Sequence, residues 1–190
     1  KIILFLLMLF ALPEFICGQQ IGAAVVPSTP VVTPPSPEVP PLPPTPDPFV
    51  EAIKNLKDKN PIVRRQAIDT LINLRDLRAI PHLLPLLKDE NPFVRMAAAD
   101  ALGLLRSREA SVELAKVIIE DKEPQVRQSA AIALGYIADR SAVPSLIKGL
   151  NDTADGVRFA CAQTLGILRS TESVPALVSL LNDKNINMRR

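Results

Sequence analysis

The chain has 190 residues, 47% of them hydrophobic, with 19 prolines, 7 glycines, no tryptophan and a net charge of +2. That length holds about one domain of ordinary size with some chain to spare. Binding to nucleic acid needs a clustered excess of Lys and Arg, and here the two signs are interspersed, so nucleic acid is not an expected partner.

The first residues, KIILFLLMLFALPEFICGQQ, carry one basic residue, an apolar run from Ile2 to Leu12, a break at Pro13-Glu14 and a plausible cleavage point after Gly18. This pattern predicts a secretory signal peptide over residues 1–18, preceded by a natural start upstream of Lys1. The apolar run is shorter than the ~20 residues needed to span a bilayer. A secreted or periplasmic product is therefore expected, membrane-tethered only if the signal stays uncleaved, with no membrane insertion after its removal. Acylation of Cys17 is disfavoured by Glu14, Phe15 and Ile16 before it. Without the signal, Cys161 is the sole cysteine and has no intramolecular disulfide partner.

From Pro27 to Pro48 half of the positions are proline. Proline fixes φ and removes a backbone donor, so residues 19–47 read as a disordered Pro-rich linker, extended at ~3.1 Å per residue. Its PxxP patterns suit aromatic grooves, but outside the cytoplasm the spacer reading is favoured.

From residue 48 onward the chain is periodic. Val63-Arg64, Val94-Arg95, Val126-Arg127, Val157-Arg158 and Met188-Arg189 recur at intervals of 31, 32, 31 and 31, with Asp58, Asp89, Asp121, Asp152 and Asp183 six residues before each arginine. Such a period marks a solenoid. The boundaries predicted are about 48–78, 79–109, 110–141, 142–172 and a partial 173–190, each period holding two helices. The second helix starts at Asn60-Pro61, Asn91-Pro92 or Glu123-Pro124, a capping residue followed by proline at the first helical position. Val63, Ala67, Leu71 and Leu74 then share one apolar arc. The first helix is shorter and is expected to bury Leu83, Leu84 and Leu87 or their equivalents. Ala97, Ala98, Ala99 and Ala101 let helices lie close, while Gly103, Gly135 and Gly166 are expected to clear space for a turn at the helix end. No stretch alternates with period two, so no sheet is expected.

The pattern D-x-x-P-x-V-R-x-x-A-A-x-A-L-G is met nearly in full from Asp121 to Gly135, with one extra residue absorbed, and in part by the other copies. It resembles the HEAT-repeat family, in particular the short HEAT-like repeats first associated with phycobilisome lyases. The resemblance implies an all-α fold, a right-handed α-solenoid of four helix pairs plus a fifth first helix. It also implies that the aspartates and arginines form a structural ladder between successive repeats: Asp58, Asp89, Asp121, Asp152 and Asp183 with Arg64, Arg95, Arg127, Arg158 and Arg189. Exposed pairs of this kind contribute only ~0–1 kcal/mol each, so their expected role is to fix helix orientation.

Chemistry is hard to place. His82 is the single histidine and falls in a solvent-facing slot, which rules out a paired-His metal centre such as the di-iron site of the HEAT-repeat hydroxylases. Cys161 stands where other copies have Ala67, Ala98 and Ala130, a core position where a thiol is inert. No Gly-rich phosphate loop or GxSxG elbow occurs. Catalytic, metal and cofactor sites are therefore not expected, and the chain reads as a non-enzyme.

The candidate partner-binding surface is the variable face of the second helices: Arg65, Met96, Gln128 and Phe159 in one row, Asp69, Asp100, Ile132 and Gln163 in the next, extended by Leu104 and Tyr136. The expected function is protein binding or scaffolding outside the cytoplasm. The alternatives are an enzyme or enzyme subunit related to phycobilin lyases, and a structural envelope component on a Pro-rich stalk. At the C-terminal end, Leu177, Val178, Leu180 and Leu181 lack a covering helix, so either the chain continues past Arg190 or that end docks on another subunit.

Overall fold

A computed structural model of the protein describes residues 47–186 and 189. The predicted signal peptide and, apart from Asp47, the Pro-rich linker lie outside the described residues, as does Met188. Among the described residues all regular structure is helical, and no helix is long and apolar enough to cross a membrane.

The chain opens with α1 (Pro48–Asn55) and α2 (Pro61–Leu74). The next pair is α3 (Ile80–Leu83), continued by a 3₁₀ stretch Leu84–Lys88, and α4 (Pro92–Leu104). Then follow α5 (Ser111–Glu120) with α6 (Pro124–Ile137), α7 (Val143–Gly149) with α8 (Asp155–Ile167), and finally α9 (Val174–Ser179). The second helices α2, α4, α6 and α8 pack side by side, and each first helix packs on its own partner. Pro85 explains why the first helix of the second pair breaks into α and 3₁₀ pieces, since a mid-helix proline removes a donor and clashes with the carbonyl four residues back. In α5, which has no proline, ten residues stay α-helical.

The starts of the helices follow from local chemistry. Asp47, Asn60 and Asn91 each accept the backbone N–H two residues on through the side chain, and proline fills the first helical position after them. Glu123 and Ala154 make no such bond. There Asp121 and Asp152 shape the turn, accepting the N–H of Glu123 and Ala154 at 2.9 and 2.8 Å.

One core runs through the stack, built on Ile68, Leu71, Leu83, Leu102, Leu114, Ile118, Leu134, Leu146 and Leu165, all essentially without exposed surface. In α2 the buried stripe is Arg64, Ala67, Ile68 and Leu71. Val63 is only half-buried and Leu74 is exposed, unlike the arc expected from the sequence. Val94, Val126 and Val157, the equivalents of Val63, are fully buried because a preceding second helix covers them. Leu83 and Leu87 are buried as expected, whereas Leu84 is half-buried.

The glycines also differ from expectation. Their backbones are ordinary, and the turns are made by Arg75, Arg106, Ala138 and Arg169 in the left-handed region at φ 49–58°. Gly103 serves helix approach instead: a β-carbon added there would stand 2.7 Å from Ala133 Cα. At Gly135 the nearest atom would be Thr164 Oγ1 at 3.2 Å. Small residues at this crossing let α4, α6 and α8 sit close.

Candidate functional site

Two constellations recur along the stack: a charged ladder on one edge and an apolar row on the open face of the second helices.

In the ladder each arginine does two things. Through Nη1 it donates to two carbonyls of its own turn: Arg64 to Asp58 and Lys59, Arg95 to Asp89 and Glu90, Arg127 to Asp121 and Lys122, Arg158 to Asp152 and Thr153. The rest of the guanidinium reaches the aspartate of the next turn. Arg95 meets Asp121 at 2.7 and 2.9 Å, Arg127 meets Asp152 at 2.7 Å twice, and Arg158 meets Asp183 at 2.8 Å twice. Such planar two-point pairing is what a guanidinium does best. The Arg64 pair with Asp89 has one bond of 2.7 Å and leaves the buried Arg64 Nε without a partner. The Asp58 carboxylate accepts the Asn60 N–H, and Arg189 donates to the Asp183 and Lys184 carbonyls.

The side chains of these inter-repeat pairs are about one-tenth exposed or less. The small worth of an exposed pair therefore does not apply: breaking a buried pair from one side costs several kcal/mol because a charge is left stranded. Burial would raise the Asp121 and Asp152 carboxyls, but Arg95 and Arg127 respectively, helped by backbone N–H groups, outweigh it and hold both below the usual carboxylate range. Asp183 is held low by Arg158 and the Asn185 N–H. The arginines are correspondingly raised. In Arg95, Arg127 and Arg158 all three guanidinium nitrogens are taken up by the turn carbonyls and the next aspartate.

On the open face the sequence-derived rows divide. Arg65, Asp69, Phe159 and Gln163 are exposed, while Met96, Asp100, Gln128 and Ile132 are half-buried between neighbouring helices. Asp100 is pushed up by burial, against a hydrogen bond with Ser129 and the charge of Arg65. The larger apolar feature lies one turn further along the helices, where Leu104, Tyr136 and Ile167 stand 54, 51 and 57% exposed at equivalent positions of α4, α6 and α8. Leu104 and Tyr136 were legible as extensions of the patch. Ile167 was missed, although the 31-residue step from Tyr136 points to it. Ile62 and Phe93, at the start of α2 and α4, are also exposed and were missed. A groove of about 460 Å³ runs between α6 and α8, lined by Arg106, Ile132, Tyr136, Gln163, Thr164 and Ile167 among others.

His82 is exposed on α3, and Cys161 is fully buried. Burial pushes the Cys161 thiol up to about 12, so it carries no thiolate at neutral pH. Among the described residues no group of three or more His, Cys, Asp or Glu side chains is placed to hold a metal ion. At the last pair Leu180 is buried and Leu177 half-buried, so only Val178 and Leu181 of the four leucines and valines expected to lie open do so.

The family model for HEAT repeats matches residues 47–121 and 111–190. Among solved structures, the complex of CpcE and CpcF of phycocyanin lyase from Nostoc sp. PCC7120 aligns with a TM-score of 0.67 and 27% identity, over 82% of this chain and 66%, just under two thirds, of that one. The YibA protein of E. coli aligns at TM-score 0.56 and 21% identity, over 74% of this chain and 54% of that one. A designed armadillo repeat protein in complex with the peptide (KR)4 aligns at 0.53 and 18%, over 74% and 77%. The latter two show the fold alone. No curated protein sequence matches the chain.

Proposed function

Because the chain belongs to the HEAT-repeat family, and its recurring charges are spent on holding one helix pair to the next, we propose that it is a non-catalytic protein-binding scaffold, a right-handed solenoid acting outside the cytoplasm. Its partner meets the open face of the second helices. The observation that carries this reading is the row of large apolar side chains held in water on that face, with Phe159 and Tyr136 both more than half exposed. Rigid helices present them, and single apolar residues gathered into a patch mark an interaction site. The apolar run from Ile2 to Leu12 supports the compartment. A pull-down with the double variant Met96→Asp, Phe159→Asp tests the choice of surface. Loss of the partners that the unaltered chain captures is expected, and retention of all of them would refute it.

A second reading is favoured by the likeness to the phycocyanin lyase complex: an enzyme subunit related to bilin lyases. A visible chromophore co-purifying with the full chain, and lost on a point substitution in the α6–α8 groove, would establish it. A colourless preparation that stays colourless when incubated with bilin would remove it.

A further inference from the structure

We infer that the partner segment seated on α6 and α8 is apolar along its contact and acidic at one flank, with its carboxylates meeting Arg106. This rests on the binding reading above and narrows it from four second helices to two.

The columns that face the open side of the second helices lose their charged side chains halfway along the stack. On α2 they hold the exposed Arg65 and Asp69, and on α4 the half-buried Met96 and Asp100. On α6 and α8 the same positions are Gln128, Ile132, Phe159 and Gln163, with Tyr136 and Ile167 beyond them. At these positions that half is uncharged and puts an exposed aromatic side chain on each helix, Tyr136 on α6 and Phe159 on α8. Charge returns at the margin where the helices end, where Arg106, Arg108, Arg140 and Arg169 stand beside Glu109, Asp139 and Glu172. Arg106 lines the groove between α6 and α8, and Arg169 occupies the equivalent turn two repeats later. Neither makes an ion pair among the described residues. Asp139, the acidic residue of the intervening turn, is already committed: it accepts the Ser141 N–H at 2.9 Å, and that bond together with Ser111 and nearby Arg108 holds its carboxyl low.

The backbone adds to this. Left-handed turns at the ends of helices are usually given to glycine, yet arginine stands there in three of the four repeats, at Arg75, Arg106 and Arg169. The exception, Ala138, falls at the groove itself, which it lines, so a cation reaches the groove from Arg106 of the preceding turn and none crowds it from its own.

The charge pattern selects the occupant. A wholly apolar segment would press against the guanidinium and strip its water without a replacement. A basic one would be repelled. An acidic flank gives the guanidinium a charge-assisted bond while the apolar part covers Tyr136 and Ile167.

The test titrates the full chain with two short fluorescein-labelled peptides that share a leucine- and phenylalanine-rich centre, one flanked by aspartate and glutamate, the other by lysine. The acidic-flanked peptide is expected to bind about tenfold tighter or better, with an advantage that shrinks in high salt. Arg106→Glu should reverse the preference, and Arg106→Gly, which suits the left-handed backbone, should abolish it without harming the fold. Tyr136→Ser should weaken both peptides, and Arg65→Glu on α2 should change neither. Equal affinity for the two peptides, no measurable binding of either, or an Arg106→Glu variant that keeps the original preference overturns the inference. If Met96→Asp, Phe159→Asp strips natural partners while Arg106→Glu leaves the charge preference intact, the binding reading stands and this one falls.

Discussion

Residues of the same type at the same step of the period live in different surroundings inside the stack and at its last described helices, α8 and α9. Val143 and Leu150 are each 3% exposed, while Val174 and Leu181, one period later, are 52 and 61% exposed. Ala99 and Ala131 are fully buried, and Ala162 is only half so. A β-carbon on Gly103 or Gly135 would meet the next second helix, whereas one on Gly166 meets nothing within 4 Å. In a solenoid each repeat contacts only its neighbours, so burial belongs to the interface and not to the residue. Amino-acid type sets what a position can bury. The presence of a next helix decides whether it does.

The strongest way to break this comparison is to fill the glycines. In Gly103→Ala the new methyl runs into the backbone of Ala133, which has no rotamer to give, so α4 and α6 must move apart. A loss of about 3 kcal/mol is expected, at the upper end of overpacking costs and larger than the helix-propensity gain of about 1 kcal/mol. Gly166→Ala gains the propensity without the clash and should stabilise by about 0.5–1 kcal/mol. Urea denaturation of the two variants should show midpoints displaced in opposite directions. A Gly103→Ala variant as stable as the parent would mean that the helices do not pack this closely.

How far the sequence reaches follows the same division. The helix starts were readable because Asn60-Pro61 and Asn91-Pro92 are local signals, satisfied within two residues. The ladder residues were readable because Asp and Arg recur in register, but not their burial, which arises only when the next turn closes over the guanidinium. The glycines were assigned to a turn because glycine commonly ends helices. Nothing local reveals that Arg106 and Ala138 take the left-handed backbone and free Gly103 for a crossing. On the open face, Phe159 stood out as an apolar residue in a variable row, while nothing local sets Ile167 apart from its apolar neighbours Leu165 and Leu168. Whether Met96 and Ile132 lie in water or between helices depends on inter-helix spacing, which composition does not carry.

Ladder substitutions sharpen the contrast next. Arg95→Gln strands the buried Asp121 carboxylate and should cost about 3 kcal/mol. Arg189→Gln removes an exposed side chain that, among the described residues, bonds to two carbonyls of its own turn, and should cost under about 0.5 kcal/mol. Equal effects would show that the inter-repeat bond contributes little. The same pairs set the response to acid. Asp121, Asp152 and Asp183 are held low, so their contribution is complete above the unfolded carboxylate value near 4 and is lost as the pH falls toward their lowered values. Asp100 works in the other direction, since its raised carboxyl relieves a folded-state cost on protonation. Asp139 is held low as well, so the lowered carboxyls outweigh Asp100 and give a Tm that is level between about pH 7 and 5 and falls below about pH 4. The fall should be shallower in Arg95→Gln, and a Tm that rises on acidification would contradict the assignment.

The smallest effect separates local strain from stacking. Arg106 and Arg169 both hold φ near 50°, and in each case the backbone N–H groups of the arginine and the following serine close back on the helix end, Arg106 to Gly103 and Ser107 to Leu102, Arg169 to Gly166 and Ser170 to Leu165. This double closure needs a left-handed residue whatever stands there, and a β-carbon makes that conformation costly by roughly 1 kcal/mol. Glycine removes the cost while loosening the unfolded chain, so Arg106→Gly and Arg169→Gly should each stabilise by about 0.5 kcal/mol. Because the strain lies within one turn, the interior and terminal variants should shift the urea midpoint alike, unlike the glycine and ladder pairs, whose members diverge. If Arg106→Gly instead destabilises and Arg169→Gly does not, the Arg106 side chain is packing against the α6–α8 groove in the free protein, and its guanidinium is already part of that wall before any partner arrives.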